Sequence, residues 1–334
     1  MKEALFYEEH EDHQVTCILC AHNCTIPKGR RGLCGVRENR DGRLYSLVYG
    51  KLVSMNIDPI EKKPLFHFYP SSSSFSISTV GCNFRCKHCQ NYDIAQYSKI
   101  HDNIPGEIVT PEQVVAAASK AGCKSISYTY TEPTIFFEFA YDCAKLAHDR
   151  GIKNVFVSNG YIGTDAAKKI IPYLDGNNID LKGDDKFYRK ICGARIQPVL
   201  DTIKLMKESG VWVEITTLII PSYNDSDEIL NGIIEFIKSV DPAIPWHVTQ
   251  FYPTYEILDQ PRTPVNTLRH AREMGLKAGL KYVYEGNVPG EGGENTYCPN
   301  CKELLIERFG YNTTNKIKNG CCYKCALKID GIWG

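Results

Sequence analysis

The segment GCNFRCKHCQN, residues 81–91, places three cysteines, Cys82, Cys86 and Cys89, in one short loop. Three thiolates can hold three irons of a four-iron cubane and leave the fourth open to a ligand with chemistry of its own, whereas four protein thiolates make an electron carrier. Zinc knuckles usually draw their ligands as Cys-x2-Cys pairs from separate hairpins, which is a different arrangement. The loop follows a strand-like run, FSISTV at 75–80. In a parallel β/α barrel the loop after a strand is where catalytic residues gather.

Outward from that loop, β-rich runs alternate with amphipathic stretches as far as about Glu285. After FSISTV come KSISYTY (124–130), IKNVFVS (152–158), NNIDLK (177–182), VWVEITTLII (211–220), WHVTQFY (246–252) and the short LKYVY (280–284). Helix-like segments lie between them. PEQVVAAASKAG (111–122) has proline at its start and glycine at its end, and DSDEILNGIIEFIKSV (225–240) opens on an Asp/Ser cap. The alternation predicts an α/β fold, a partial (β/α)6 barrel over 75–285. A closed eight-stranded barrel fills its interior with side chains; an open one leaves a lateral gap wide enough for a large substrate.

Two cysteine-rich modules flank the barrel, at 1–74 and 286–334. In the second, a glycine-rich connector, GNVPGEGGEN, precedes Cys298-x2-Cys301 and, after a spacer, Cys322-x2-Cys325, a zinc-ribbon pattern. Cys321 is an alternative fourth ligand, but the commoner spacing favours Cys322. In the first module Cys17, Cys20, Cys24 and Cys34, with His22 as a substitute, supply four thiolates in a segment too polar to fold alone. Their spacing is compatible with zinc, the first choice, or with a second iron–sulfur cluster.

The 39 basic and 39 acidic residues cancel, so net charge gives no reason to expect a nucleic acid or an anionic membrane as partner. No segment approaches the roughly 18 consecutive apolar residues of a membrane span, and the acidic start MKEALFYEEHEDH lacks the apolar stretch of a signal peptide. Most of the 15 cysteines cluster at metal-ligand spacings in a large chain, which predicts a reducing, cytoplasmic setting rather than disulfides. Cys123, Cys143 and Cys192 read as small buried hydrophobes.

Cys-x3-Cys-x2-Cys resembles the radical S-adenosylmethionine (SAM) enzymes. The blocks DPIEKKPLFHFYP (58–70), YTYTEPT (128–134), VSNGY (157–161), PWHVTQFYP (245–253) and the closing CPNC, CYKC and IDGIWG resemble, over nearly the whole chain, the AmmeMemoRadiSam-system radical SAM enzymes. These are relatives of pyruvate formate-lyase activating enzymes, associated with Memo-like and AMMECR-like proteins. The resemblance implies a 4Fe–4S cluster on Cys82, Cys86 and Cys89, SAM on its open iron, and a flavodoxin or ferredoxin as reductant. His88 stands where the family often has an aromatic residue near the adenine. Glu132, in a Thr-Glu-Pro turn where relatives carry Gly-Gly-Glu, would accept the SAM ammonium; the literal Gly292-Gly293-Glu294 lies past the last strand and reads as linker. Lys182 would pair with the SAM carboxylate, with Asp180 orienting it. Ser158, Asn159 and Thr216 are further cofactor contacts, and His247 and Tyr255 would face the mouth near the ribose or the substrate.

Several of these residues carry a plainer reading. Ser158-Asn159-Gly160 alone is a turn, Asp180-x-Lys182 alone a solvated ion pair worth well under about 1 kcal/mol, and His247, Tyr255 and Thr216 are ordinary packing residues of strands. The implied reaction is reductive cleavage of SAM to a 5'-deoxyadenosyl radical that takes hydrogen from an unassigned substrate. The alternatives are activation of a protein glycine, modification of a peptide or small molecule, and a non-enzymatic metal scaffold that ignores SAM.

Overall fold

The computed structural model describes residues 1–288 and 290–334; the connector GNVPGEGGEN contains Pro289, which lies outside the described residues. Its centre is an eight-stranded sheet. The strands, numbered along the chain, are β1 (Ser54–Pro59), β2 (Ser73–Ser78), β3 (Ser125–Tyr128), β4 (Lys153–Ser158), β5 (Gly176–Asp180), β6 (Trp212–Ile219), β7 (Trp246–Gln250) and β8 (Val283–Gly286). Each pairs with its neighbours in sequence, and β1 and β8 are unpaired edges of an open sheet. Strands β2 to β8 are parallel. β1, from the segment read as the N-terminal module, joins antiparallel to β2.

Six crossovers join the seven parallel strands, which correspond to the seven β-rich runs read from the sequence. Burial on both faces gives these strands their continuous rather than alternating pattern; every residue of β3 and of β7 is buried. The crossover helices are α1 (Pro111–Lys120), α2 (Phe137–Asp149), α3 (Thr164–Ile170), α4 (Gln197–Glu208), α5 (Asp227–Val240) and α6 (Val265–Lys277). α1 starts on a capping box between Thr110 and Gln113. α5 starts on Ser226 and buries Leu230, Ile233, Ile234 and Ile237. That i, i+3, i+4, i+7 stripe stabilises by roughly 1.5–3 kcal/mol per side chain. Among the described residues no helix is long and apolar enough to cross a membrane.

Both flanking segments are welded to the barrel. Residues 2–46 form two small antiparallel sheets that share the barrel's core. Arg37 Nη1 reaches both oxygens of Glu138 on α2, at 2.9 and 3.2 Å, with both side chains about 2% exposed. The C-terminal segment forms a three-stranded sheet and a second core in which Leu305, Ile306 and Ile329 meet Phe66, Tyr282 and Tyr284.

The stretch between β1 and β2 runs across the bottom of the barrel. Glu214, fully buried on β6, accepts from the amides of Phe66 and His67 at 3.0 and 2.8 Å, from Trp212 Nε1 at 2.9 Å, and pairs with His247 Nε2 at 2.7 Å. Burial alone would raise its pKa, but the His247 contact and its neighbours outweigh that and hold the carboxylate below its usual range.

His67 sits beside it, bonded to Asp330 O at 2.6 Å and to the Tyr284 hydroxyl at 2.5 Å. Burial pushes its pKa down to about 4, against about 6.5 in an unfolded chain. Between those values the unfolded chain binds the extra proton, so stability present above pH 6.5 is lost as the pH falls towards 4. From pH 7 to pH 5 this one group should remove about 2 kcal/mol. Urea unfolding at the two pH values will show a slope that is smaller by that increment in His67→Gln.

Candidate active site

The C-terminal ends of the parallel strands surround a cavity of about 520 Å³, within the range of small-molecule sites. Its floor is the loop after β2. Gly81 enters that loop at φ +101°, where an added Cβ would lie 2.7 Å from Val36 and 3.1 Å from the Cys34 carbonyl, so only glycine lets the chain pass. Opposite, the amides of Arg85 and Lys87 donate to the carbonyls of Cys192 and Ile191 at 2.9 and 3.1 Å. This pins the loop to a short helical segment, Tyr188–Cys192.

Cys82 and Cys86 are buried and Cys89 half-buried. Burial pushes the Cys82 thiol above its ordinary value and Cys89 up to about 11. Cys86 is raised well above by the neighbouring Cys192 thiol, then by burial. Thiols so disposed lose their protons when a metal takes their place.

Two observations test the fit of a cluster with one open corner. Among the described residues the cavity is lined by these three cysteines and no fourth, because Cys192 stands behind Cys86. Their sulfurs are also not drawn together as around a single ion: the one group of at least three ligand atoms mutually within 4.8 Å, among the described residues, is elsewhere. The triad therefore suits a larger inorganic core with a vacancy facing the cavity.

The residues facing that vacancy come from successive strand ends. Glu132, after β3, is completely buried. Its Oε1 accepts from Thr134 N (3.0 Å), Thr134 Oγ1 (2.6 Å) and Ser158 Oγ (2.8 Å), whereas Oε2 accepts only from Asn159 N (2.8 Å). Burial raises its pKa despite these donors. A cation at Oε2 would satisfy the remaining lone pair. Ser158 ends β4 and the chain bends at Gly160, at φ +71°, and the side chains of both Ser158 and Asn159 serve the site. Asn159 Nδ2 donates to Asn83 Oδ1 at 2.7 Å and lies 3.8 Å from Cys82 Sγ.

At the end of β5, Lys182 Nζ meets Asp180 Oδ2 at 2.6 Å, with side chains 12% and 32% exposed. Burial opposes its charge, but Asp180, Cys86 and Cys192 outweigh burial and hold the ammonium well above the usual lysine value. This is a half-buried pair in the cavity wall rather than a solvated one. His88 is buried against Phe187, with ring centroids 5.7 Å apart, and its Nδ1 has no partner. Thr216 lines the cavity and donates to Asn178 Oδ1 at 3.0 Å.

Two expected residues are not among those lining the cavity, although the residue after Tyr255 donates its amide to Lys87 O of the cluster loop at 2.9 Å. His247 points into the barrel but one layer too deep, bonded to Glu214 and packed on Phe66 at 4.7 Å; Thr249, two residues on, lines the cavity in its place. Tyr255 is stacked on Tyr92, with centroids 4.7 Å apart, and does not line the cavity. Gly292, Gly293 and Glu294 are also outside it.

Besides Thr249, the residues Lys63, Tyr130 and Tyr311 line the cavity without a site role in the sequence reading. Lys63, almost fully buried, pairs with Asp58 Oδ2 at 2.7 Å and lies 4.4 Å over the ring of Tyr130, whose hydroxyl also bonds Asp58. Burial pulls its pKa down to about 8. Tyr311, at the tip of the C-terminal hairpin, reaches the mouth. The motif DPIEKKP was the visible signal for Lys63, but it precedes β2 and so falls outside any rule based on strand ends.

In the C-terminal segment Cys298, Cys301, Cys322 and Cys325 have ligand atoms within 4.8 Å of one another. Cys298 and Cys325 sulfurs are 3.6 Å apart, Cys301 and Cys322 3.7 Å. A tetrahedral ion with Zn–S of about 2.3 Å requires sulfur separations of about 3.8 Å. Cys321 stands outside the group. The N-terminal four, Cys17, Cys20, Cys24 and Cys34, line a separate cavity without converging in this way.

Comparison with known proteins adds the following. Residues 76–233 match the model of the radical SAM superfamily. An uncharacterized protein of Methanocaldococcus jannaschii is 48% identical over 334 residues, 99% of each chain. The pyruvate formate-lyase-activating enzyme of Clostridium pasteurianum is 26% identical over 168 residues, 48% of this chain and 67% of that one. The crystal structure of a radical SAM methyltransferase from Sphaerobacter thermophilus superposes with a TM-score of 0.52 at 15% identity, covering 71% of each chain, a likeness of fold.

Proposed function

The chain belongs to the radical SAM superfamily, and on that premise we propose that it cleaves SAM reductively and abstracts hydrogen from a substrate admitted through the open side of the barrel. One observation carries this reading: three cysteines, and no fourth among the described residues, line a cavity that also holds Glu132, Asp180 and Lys182. A three-cysteine 4Fe–4S cluster with SAM on its free iron would supply one-electron cleavage of the sulfonium and the radical that follows.

The chain's own residues position and protect. Cys82, Cys86 and Cys89 would hold three corners. Glu132 Oε2 would take the SAM ammonium, with Ser158 and Thr134 fixing Oε1 and so the plane of the carboxylate. Lys182 would face the SAM carboxylate, steadied by Asp180. His88 supplies a flat buried ring beside the cluster loop, and Thr216 part of the opposite wall. Lys63 on Tyr130 forms part of the inner wall. The electron would come from a flavodoxin or ferredoxin, and the C-terminal four cysteines would bind structural zinc.

The resemblance to an AmmeMemoRadiSam-system enzyme, with Memo-like and AMMECR-like associates, is the narrower form of this proposal and rests on the motifs quoted above. A second reading, activation of a protein glycine, is favoured by similarity to a relative named for acting on pyruvate formate-lyase.

Anaerobically reconstituted, dithionite-reduced protein should convert SAM to 5'-deoxyadenosine and methionine; failure to form either, with the cluster present, would sink the proposal. A hydrogen bond to a charged group contributes about 1.5–3 kcal/mol. Glu132→Gln should therefore weaken SAM binding roughly ten- to hundredfold, as measured by equilibrium titration. A glycyl-radical signal on a partner protein separates the second reading from the first.

A further inference from the structure

The four N-terminal cysteines sit in a setting the reaction above does not use. Cys17 and Cys24 face each other across two short strands, Val15–Cys17 and Cys24–Ile26. Cys20 lies in the connection between them, bridged to Ile162 after β4. Cys34 comes from the next loop, where Ser98 Oγ donates to its carbonyl at 2.9 Å. The following Gly35, at φ +74°, approaches so closely that an added Cβ would lie 2.4 Å from the Ser98 carbonyl. All four line one cavity.

The structure contains its own yardsticks for what such a set holds. The C-terminal cysteines are drawn together at the separation a single tetrahedral ion demands. The triad that suits a cubane is not. The N-terminal four behave like the triad: among the described residues no three of their ligand atoms, His22 included, fall mutually within 4.8 Å. They are nonetheless one constellation, since all four line the same cavity. His22 is otherwise engaged, its Nε2 bonded to Asn83 O at 2.8 Å.

A further feature suits an anionic cluster there: Arg37 lines the cavity, is 1% exposed, and among the described residues its Nε has no partner.

We propose that Cys17, Cys20, Cys24 and Cys34 hold a second, fully ligated 4Fe–4S cluster that relays electrons to the SAM-binding one. Zinc is the first choice on spacing at this site; the spread of the sulfurs argues for the larger core. The connection to the active site is one residue thick. Asn83 lines this cavity, and its Oδ1 lies 3.8 Å from Cys82 Sγ and accepts from Asn159. A ferredoxin- or flavodoxin-class donor gives one electron to the outer cluster, where Cys20 and Cys24 are half-buried. That cluster is thereby reduced, then reoxidised as the same electron passes inward, and no atom is transferred. The relay rests on the function proposed above; the occupancy does not.

The test uses the full chain, reconstituted anaerobically with iron, sulfide and zinc and assayed for all three. The expected content is about eight irons and eight sulfides per chain, four for each cluster, with about one zinc. The combined variant Cys82→Ala, Cys86→Ala and Cys89→Ala, which leaves the N-terminal site intact, should keep half the iron and a 4Fe–4S paramagnetic resonance signal on reduction. A second zinc per chain, or loss of all iron from the triad variant, overturns the assignment. Cys20→Ser should lose the outer cluster's signal and slow reduction of the remaining cluster by a protein donor at least tenfold; an unchanged rate overturns the relay. Added SAM should alter one of the two wild-type signals. If it alters neither, the SAM reading fails while the second cluster stands.

Discussion

Cys86→Ala will form no measurable 5'-deoxyadenosine from SAM. Cys86 is the middle ligand of the loop, buried between two backbone contacts to Ile191 and Cys192, so no other side chain can swing into its place without undoing that clamp. Cys192 is the one nearby thiol, and it stands behind Cys86 rather than in the cavity. With two thiolates left, the proposed cubane would have no third anchor and the vacancy that would bind SAM would not form. Enzymes commonly accelerate reactions by about 10⁶-fold or more, so losing the reactive group returns the rate to background, a far larger effect than the binding loss expected of Glu132→Gln. The fold should survive, because removing one small buried group costs about 1 kcal/mol. Anaerobic product analysis, circular dichroism and a zinc count on the same sample check all three statements. Turnover retained above background would remove the mechanism.

How much of this site could be read from the chain depends on one rule and its reach. Parallel strands present side chains at their C-terminal ends, so Glu132, Ser158, Asn159, Asp180 and Lys182 could be listed in order from the strand pattern, and all of them meet in the cavity. His247 shows where the rule gives out. Residues i and i+2 of a strand share a face, so His247 and Thr249 both point inward, and only depth separates a ligand contact from a plug contact. Depth is set by what closes the barrel's bottom, here Phe66 and His67 held by Glu214. That contact spans about 150 residues of sequence, and no local pattern announces it.

Lys63 fails to be legible for a related reason. It belongs to the crossing segment rather than to a strand end, and Asn178 Nδ2 ties the next residue, Pro64, to the barrel interior at 2.8 Å. The metal modules give a different lesson. Cysteine spacing counts ligands but does not measure the gap between their sulfurs, so it marks the C-terminal set as a zinc ribbon yet leaves the N-terminal set open, and only the arrangement in space separates them further. The two supports of the cluster loop are legible only in part: Gly81 could be noted as a glycine, but its close approach to Val36 requires the fold.

The second large effect concerns the C-terminal four cysteines. Removing the zinc proposed for them, or replacing Cys298 with serine, should unfold residues 296–334 while leaving the parallel sheet standing. The segment's own core is small, Leu305, Ile306 and Ile329 against Phe66, Tyr282 and Tyr284, and metal binding in comparable small modules contributes of order 10 kcal/mol. Without it the entropy of ordering this stretch has little to oppose it. The consequence spreads to the barrel's bottom. Arg308 Nη2 donates to Phe66 O at 2.9 Å, Ile332 N to His67 O at 2.7 Å, and His67 rests on Asp330 O. Loss of the segment therefore frees the plug and withdraws Tyr311 from the cavity mouth. Limited proteolysis and hydrogen exchange should show residues 296–334 and 64–70 losing protection together in Cys298→Ser, with one metal ion gone per chain. Cys321→Ser is the matched comparison, because Cys321 is outside the ligand group and its variant should keep both the ion and the protection. Equal loss in the two variants, or an ion retained in Cys298→Ser, would show that the four sulfurs do not hold the segment in place.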